Sequence, residues 1–171
     1  MNEQKIRKVI TCFVELYKED PDRWDNERYS HYDFFKLLFD YFEPTEIKNN
    51  FKWEYPVGVP SYGTGKKTAA VDMVFAIDNE KWIAVEIELV GAGKEFEDEL
   101  MNCVDKLKTA PVCREHMSIG FIIPLIHCEK GKKARGYGKP YEELFEEAIK
   151  RVRDKIGGDP IEIITGGVIL L

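Results

Sequence analysis

The sequence has few of the features that mark disulfide-rich or membrane-spanning proteins. Only four cysteines occur in 171 residues, and none form a C-x-x-C pair, which favours reduced, buried thiols over a disulfide framework. No apolar run approaches the roughly 20 residues that span a bilayer, and the polar N-terminal segment contains no hydrophobic leader. We therefore expect a cytoplasmic protein that does not insert into membranes.

Signatures of three other site classes are weak or missing. No G-x-S-x-G nucleophile elbow occurs. The segment before Thr68 fails the phosphate-binding loop pattern, because Pro60 replaces its first glycine and Lys67 replaces its Ser or Thr. A zinc site is a weaker alternative, since adjacent His127 and Cys128 would point to opposite faces of a strand. Its four ligands would be Cys113, His116, His127 and Cys128.

Positive charge is also in deficit. The chain has 25 Lys and Arg against 31 Asp and Glu, a formal net charge of −6, so it exerts no long-range attraction on nucleic acid. Two segments are locally basic, at 61–68 and 130–139, and the second contains five cations and no acid. A solvated surface loop explains that segment as well as phosphate binding does. The candidate phosphate contacts are Lys66, Lys67, Lys130, Lys132, Lys133, Arg135 and Lys139.

Hydrophobic residues make up 44% of the chain and charged residues 33%, which is typical of a globular domain. The length favours a single domain over residues 1–171, with an N-terminal helix at 2–19 packed on its core. A second helix is predicted from Ser30, because Ser30 and Asp33 fit a capping box. The periodicities predict further helices at 94–108 and 140–156, and strands at 51–57, 69–76, 82–90 and 117–124. We therefore expect an α/β fold, with a mixed central sheet flanked by helices.

Three carboxylates interrupt the apolar hairpin of the second and third strands. Asp72 lies in its first strand, and Glu86 and Glu88 lie in its second. A three-residue loop centred on Asn79 would place Asp72 directly opposite Glu86, and Glu88 would share the face of Glu86. Like charges so placed repel one another, and carboxylates in apolar strands are costly unless they are paired or bind a metal. The pattern therefore predicts a site for a divalent cation.

Two other interpretations of the hairpin stay open. Glu86 and Glu88 could lie on the solvent face of an antiparallel sheet, the commonest origin of alternating polarity. A two-residue turn at Asp78 and Asn79 would place Asp72 and Glu86 on opposite faces, because a one-residue slip reverses every side chain. Apolar residues on both faces of the Asp72 strand favour the buried arrangement.

The order of elements and the positions of these acids resemble the PD-(D/E)XK nuclease superfamily over residues 27–124. The resemblance implies a restriction-endonuclease-like core of order α-β-β-β-α-β, in which Asp72 and Glu86 bind Mg²⁺ or Mn²⁺. Glu88 occupies the position usually held by lysine. Many members contribute another acid from the helix before the first strand, here Glu27 or Asp33. The candidates to replace the usual lysine are Lys94, Lys66 and Lys67.

The implied function is a metal-dependent endonuclease of restriction or repair type that hydrolyses DNA phosphodiester bonds. In this interpretation Asp72, Glu86 and Glu88 form the catalytic site, with Glu88 as general base or further ligand. The alternative is a non-catalytic module of the same fold that binds nucleic acid or a protein, because fold does not fix function. The expected partner is DNA, no membrane is expected, and a homodimer is left open.

Overall fold

Three helices and then three strands open the chain, and the computed structural model describes residues 1–24, 26–60, 68–77, 81–90, 96–109, 117–134 and 137–170. The helices in these ranges are α1 (Glu3–Glu19), α2 (Glu27–Leu38), α3 (Pro44–Asn50), α4 (Phe96–Thr109) and α5 (Tyr141–Ile156). The strands are β1 (Phe51–Pro60), β2 (Thr68–Ala76), β3 (Trp82–Val90), β4 (Met117–Cys128), β5 (Ile161–Ile163) and β6 (Ile169–Leu170). Within the described ranges, no helix combines the length and apolar character needed to cross a bilayer.

The sheet has the strand order β1-β2-β3-β4-β5, and β6 pairs with the end of β4. The first three strands form an antiparallel meander. β4 then lies parallel to β3, and β5 parallel to β4, after the crossover helices α4 and α5. Parallel neighbours need such long connections, whereas antiparallel neighbours can be joined by tight turns. The predicted α/β class with a mixed sheet flanked by helices is therefore confirmed.

Two apolar clusters lie against the sheet. One joins α4 and α5 to the sheet, and Val74, Ala84 and Ile122 belong to it. The other joins α1 and α2 to it through residues such as Met73, Val85 and Phe121. Alternate side chains of a strand face opposite sides, so β2, β3 and β4 are apolar on both faces because helices cover both. Helix α1 contributes a buried stripe of Ile6, Val9, Ile10, Phe13, Val14 and Tyr17.

Helix α2 begins three residues before the predicted start. Asn26 is its N-cap, and the Asn26 side chain accepts a hydrogen bond from the Arg28 N–H. Ser30 does not cap the helix, because its hydroxyl donates to the Glu27 carbonyl within the first turn. The predicted capping box was therefore wrong. With the earlier start, Glu27 and His31 lie four residues apart on the same helix face.

The hairpin of β2 and β3 has the three-residue register. Met73 pairs with Val85 and Ala76 with Trp82, and continuing this register places Asp72 opposite Glu86. The alternation of faces is interrupted at Asp72, because Val71 packs in the cluster of α4 while Met73 packs in that of α1 and α2. Glu54 on β1 has a φ of 46°. Continuing the β1–β2 register places Glu54 opposite Asp72.

Candidate functional site

The candidate site lies where β2 and β3 stop pairing. Among the described residues these strands pair only between 73–76 and 82–85. Beyond that point two carboxylates take the backbone donors: Asp72 N–H donates to Glu86 Oε1 over 3.3 Å, and Ile87 N–H donates to Asp72 Oδ2 over 2.8 Å. Glu86 is only 1% exposed. A solvent-facing Glu86 and the two-residue turn are therefore both wrong.

Helix α2 brings two further groups to Asp72. His31 Nε2 lies 3.5 Å from Asp72 Oδ2 and 3.5 Å from Glu27 Oε1. One ligand atom from each of the three residues lies within 4.8 Å of the other two, a grouping compatible with one metal ion. His31 Nε2 is buried and has no hydrogen-bond partner. A buried polar atom normally has a hydrogen-bond partner. This nitrogen is therefore suited to bind a metal ion together with the carboxylates of Glu27 and Asp72.

Helix α4 approaches the acids from the other face of the sheet. Lys106 Nζ donates to Glu86 Oε2 over 2.8 Å, and the Lys106 side chain is only 22% exposed. Cys103 Sγ lies 3.7 Å from Glu88 Oε2. Burial raises the pKa of the Cys103 thiol well above its usual value, so the thiol stays protonated.

The pKa values of three carboxylates in the cluster are raised, because the groups are partly buried and lie close to other negative charges. Burial, followed by the charge of Asp72, raises the pKa values of Glu86 and Glu27. Burial also raises the pKa of Glu88, to about 7, and the charge of Glu27 adds to the effect.

The two basic groups of the cluster respond to the same acids. Burial alone would lower the pKa values of Lys106 and His31, but the nearby carboxylates raise both above their usual values. Glu86 and Asp72 act on Lys106, while Asp72 and Glu27 act on His31. The four carboxylates of the cluster, together with the charge of Glu99, outnumber one ammonium and one imidazole, and this excess of negative charge favours a bound cation.

The other acid predicted on α2 has different neighbours. Asp33 accepts hydrogen bonds from Arg23, Trp24 and Lys36. These bonds lower the pKa of Asp33 although burial opposes them. Asp33 is two residues from His31, so it projects away from the helix face that Glu27 and His31 share. Of the two candidates, the structure brings Glu27 to Asp72.

The predicted cations are described only in part. Lys66, Lys67, Lys94 and Arg135 lie outside the described residues, as do Cys113 and His116 of the zinc alternative. Lys132 forms an ion pair with Glu129, and Lys139 with Glu147. Lys130 and Lys133 are exposed, and among the described residues no acid pairs with either. Part of the basic segment is thus neutralised by its own surroundings.

Sequence reasoning missed two residues of this site, His31 and Lys106. The helix start predicted at Ser30 left Glu27 outside the helix and hid its four-residue spacing from His31. Lys106 lies 20 residues after Glu86 and resembles the other charged residues of an amphipathic helix. Only the packing of α4 on the sheet brings it to the acids.

The fold and the site define an α/β protein with a partly buried acidic cluster where β2 and β3 stop pairing. The chain matches no protein-family model, no curated protein and no solved structure. A functional inference therefore depends on the geometry of the cluster.

Proposed function

We propose that the protein is a metal-dependent nuclease that hydrolyses DNA phosphodiester bonds, built on a restriction-endonuclease-like core. One observation carries the proposal: where the backbone pairing of β2 and β3 stops, Asp72 and Glu86 accept the N–H groups instead, and His31 Nε2 lies buried 3.5 Å from Asp72 Oδ2 without a well-formed hydrogen bond. The order of α2, the β1-β2-β3 meander, α4 and parallel β4 supports the same core.

The metal would be held by Glu27, His31 and Asp72. Two carboxylates and one imidazole suit a hard to borderline divalent ion, and the nitrogen ligand favours Mn²⁺ over Mg²⁺. Glu86, which the sequence suggested as second ligand, already accepts from Lys106 and from the Asp72 N–H. The proposed ligand set therefore keeps Asp72 of the hairpin and takes Glu27 and His31 of α2 in place of Glu86. When bound, the ion would polarise a phosphoryl oxygen and acidify an attacking water.

The remaining side chains have distinct roles in this proposal. Lys106 supplies a positive charge that, in the PD-(D/E)XK superfamily, usually comes from a lysine at the position of Glu88. Its ion pair with Glu86 also keeps the Glu86 carboxylate oriented. Glu88 has no cationic partner among its described hydrogen bonds, so its carboxylate is available to accept a proton from water. Water would add to phosphorus as the P–O bond to the departing sugar oxygen breaks, and that oxygen would take up a proton.

Cleavage assays test the proposal directly. Purified protein is incubated with supercoiled, linear, single-stranded and branched DNA in Mg²⁺, Mn²⁺ or EDTA. We expect cleavage with metal, more with Mn²⁺, and none in EDTA. Asp72→Asn and His31→Gln should each abolish cleavage by removing a ligand, whereas Asp33→Asn on the same helix should retain it.

Melting temperature gives an independent measure of metal binding. A metal that binds only the folded protein must raise its stability, by about 2.7 kcal/mol at a hundredfold excess over Kd. Wild type should therefore melt higher in Mn²⁺, and Asp72→Asn should not. Wild type without a metal-dependent shift and without cleavage would contradict the nuclease and favour the alternative, a nuclease-fold module that only binds nucleic acid or a protein.

A further inference from the structure

A groove lined by aromatic rings opens beside His31. Its volume is about 700 Å³, which lies within the range of small-molecule sites. Its apolar walls are the rings of Tyr32, Phe35, Phe51 and Trp53. His31 belongs both to this groove and to the group around Asp72, so an occupant of the groove would lie next to the proposed metal.

Four of the rings form one continuous surface, and Tyr32 lines the groove beside them with Lys36 Nζ 4.4 Å from its ring centroid. Trp53 packs edge-on against His31, Phe35 and Phe51, with ring centroids 5.6, 6.0 and 5.6 Å apart. Tyr32 is 56% exposed and Trp53 is 38% exposed. Single exposed apolar residues are ordinary, whereas adjoining aromatic rings in a concave surface are typical of ligand sites. No sequence pattern predicts this surface, because its rings come from two separate elements, α2 and β1.

Two charged side chains complete the groove. Arg28 is exposed, and among the described residues no acid pairs with it. Glu54 also lines the groove, and its positive φ is a conformation that non-glycine residues rarely adopt outside functional or tightly constrained positions. One cation with one acceptor suits a base and a neighbouring phosphate, whereas a duplex backbone needs several cations in a row.

We propose that this groove binds one unstacked nucleobase, so that the substrate of the site is single-stranded DNA. This inference rests on the proposed nuclease function. Bases in a duplex are stacked on one another, and their faces cannot contact Tyr32 or Trp53. A base from a single strand can stack on these rings while its phosphate lies near His31 and Asp72. The net charge of −6 also disfavours binding that depends on phosphates alone.

The experiment measures binding in EDTA, where no metal-dependent cleavage takes place. Fluorescence polarisation compares a labelled oligothymidine of roughly 16 nucleotides with a duplex of equal length. We expect the single strand to bind at least about tenfold more tightly, because stacking on exposed rings requires unpaired bases. We also expect its affinity to fall only slightly with salt, since few phosphates are contacted.

Three substitutions and a matched control locate the bound base. Tyr32→Ala and Trp53→Ala should each weaken single-strand binding about tenfold, and Trp53→Phe should retain most of it. Tyr29→Ala is the control, because Tyr29 lies on the same helix and is also 56% exposed but does not line the groove. Circular dichroism checks the fold of each variant. If Trp53→Ala does not fold, the binding result for Tyr32→Ala decides.

Equal binding of duplex and single strand would overturn the inference, as would equal losses in Tyr29→Ala and Tyr32→Ala or no loss in Tyr32→Ala. These outcomes are separate from failure of the proposed nuclease. If the protein cleaves DNA and Tyr32→Ala leaves single-strand binding unchanged, only the proposal about the groove is contradicted. A protein that binds single strands through Tyr32 but never cleaves contradicts only the nuclease.

Discussion

The ion pair of Lys106 and Glu86 supports a quantitative prediction. Lys106→Met keeps the apolar stem of the side chain but leaves Glu86, which is 1% exposed, without its cation. Removing one partner of a buried pair costs about 3–5 kcal/mol, because an uncompensated charge remains buried. For a chain of this length, that loss lowers the melting temperature by about 10 °C. Urea and thermal unfolding in EDTA, followed by circular dichroism, measure the change.

A second substitution tests the cause. Glu86→Gln in the Lys106→Met background removes the buried charge and keeps an acceptor for the Asp72 N–H, so it should recover most of the lost stability. The single variant should also depend on pH. Burial raises the pKa of Glu86, and loss of Lys106 raises it further, so protonation at low pH relieves the unpaired charge. The deficit should therefore be smaller at about pH 5 than at about pH 8.

An exposed ion pair provides the control. Lys155 Nζ lies 2.7 Å from Glu97, but the Lys155 side chain is 52% exposed. Lys155→Met should therefore cost no more than about 1 kcal/mol, the usual range for surface pairs. If Lys106→Met costs no more than Lys155→Met, or if the double variant is no more stable than Lys106→Met, the reasoning about a buried charge fails.

Three further predictions concern the same cluster and the basic segment. Glu88 has a pKa of about 7 in the folded protein, above its value in the unfolded chain, so folding favours its protonated form. Without metal, the resulting stability is fully present at low pH and is lost as pH rises through about 7. Glu88→Gln should flatten the urea-derived stability profile between about pH 5 and pH 8, and an unchanged slope would contradict this. His31→Gln should eliminate the Mn²⁺-dependent rise in melting temperature, and a rise equal to that of wild type would remove His31 from the ligand set. Neutralising Lys130 and Lys133 together should reduce the salt dependence of DNA binding if they contact phosphates, whereas an unchanged slope indicates solvated surface.

The hairpin could be predicted from sequence because its signals are local. Its register is less well specified by the sequence, because β2 and β3 are apolar on both faces and a one-residue slip exchanges one apolar face for the other. The start of α2 was mispredicted for a local reason. Ser30 and Asp33 imitate a capping box, while Asn26 caps the helix.

The rest of the site depends on packing between distant segments. Lys106 meets Glu86 only because α4 crosses back over the sheet between β3 and β4. The interrupted alternation at Asp72 has no signature in the residues around it. Trp53 faces α2 while Tyr55, two residues along β1, packs with the cluster of α4. Strict alternation would place both rings on one face.

The point where β2 and β3 stop pairing also determines how inactive variants must be interpreted. Asp72 accepts the Ile87 N–H, so its carboxylate is both a candidate ligand and a part of the sheet. Replacing Asp72 with alanine removes the acceptor, and the Ile87 N–H then loses its partner at the end of the hairpin. Loss of activity in such a protein would not separate chemistry from architecture. Amide hydrogen exchange at Ile87 provides that separation, because exchange accelerates when the hairpin end opens and stays slow when only the charge is lost.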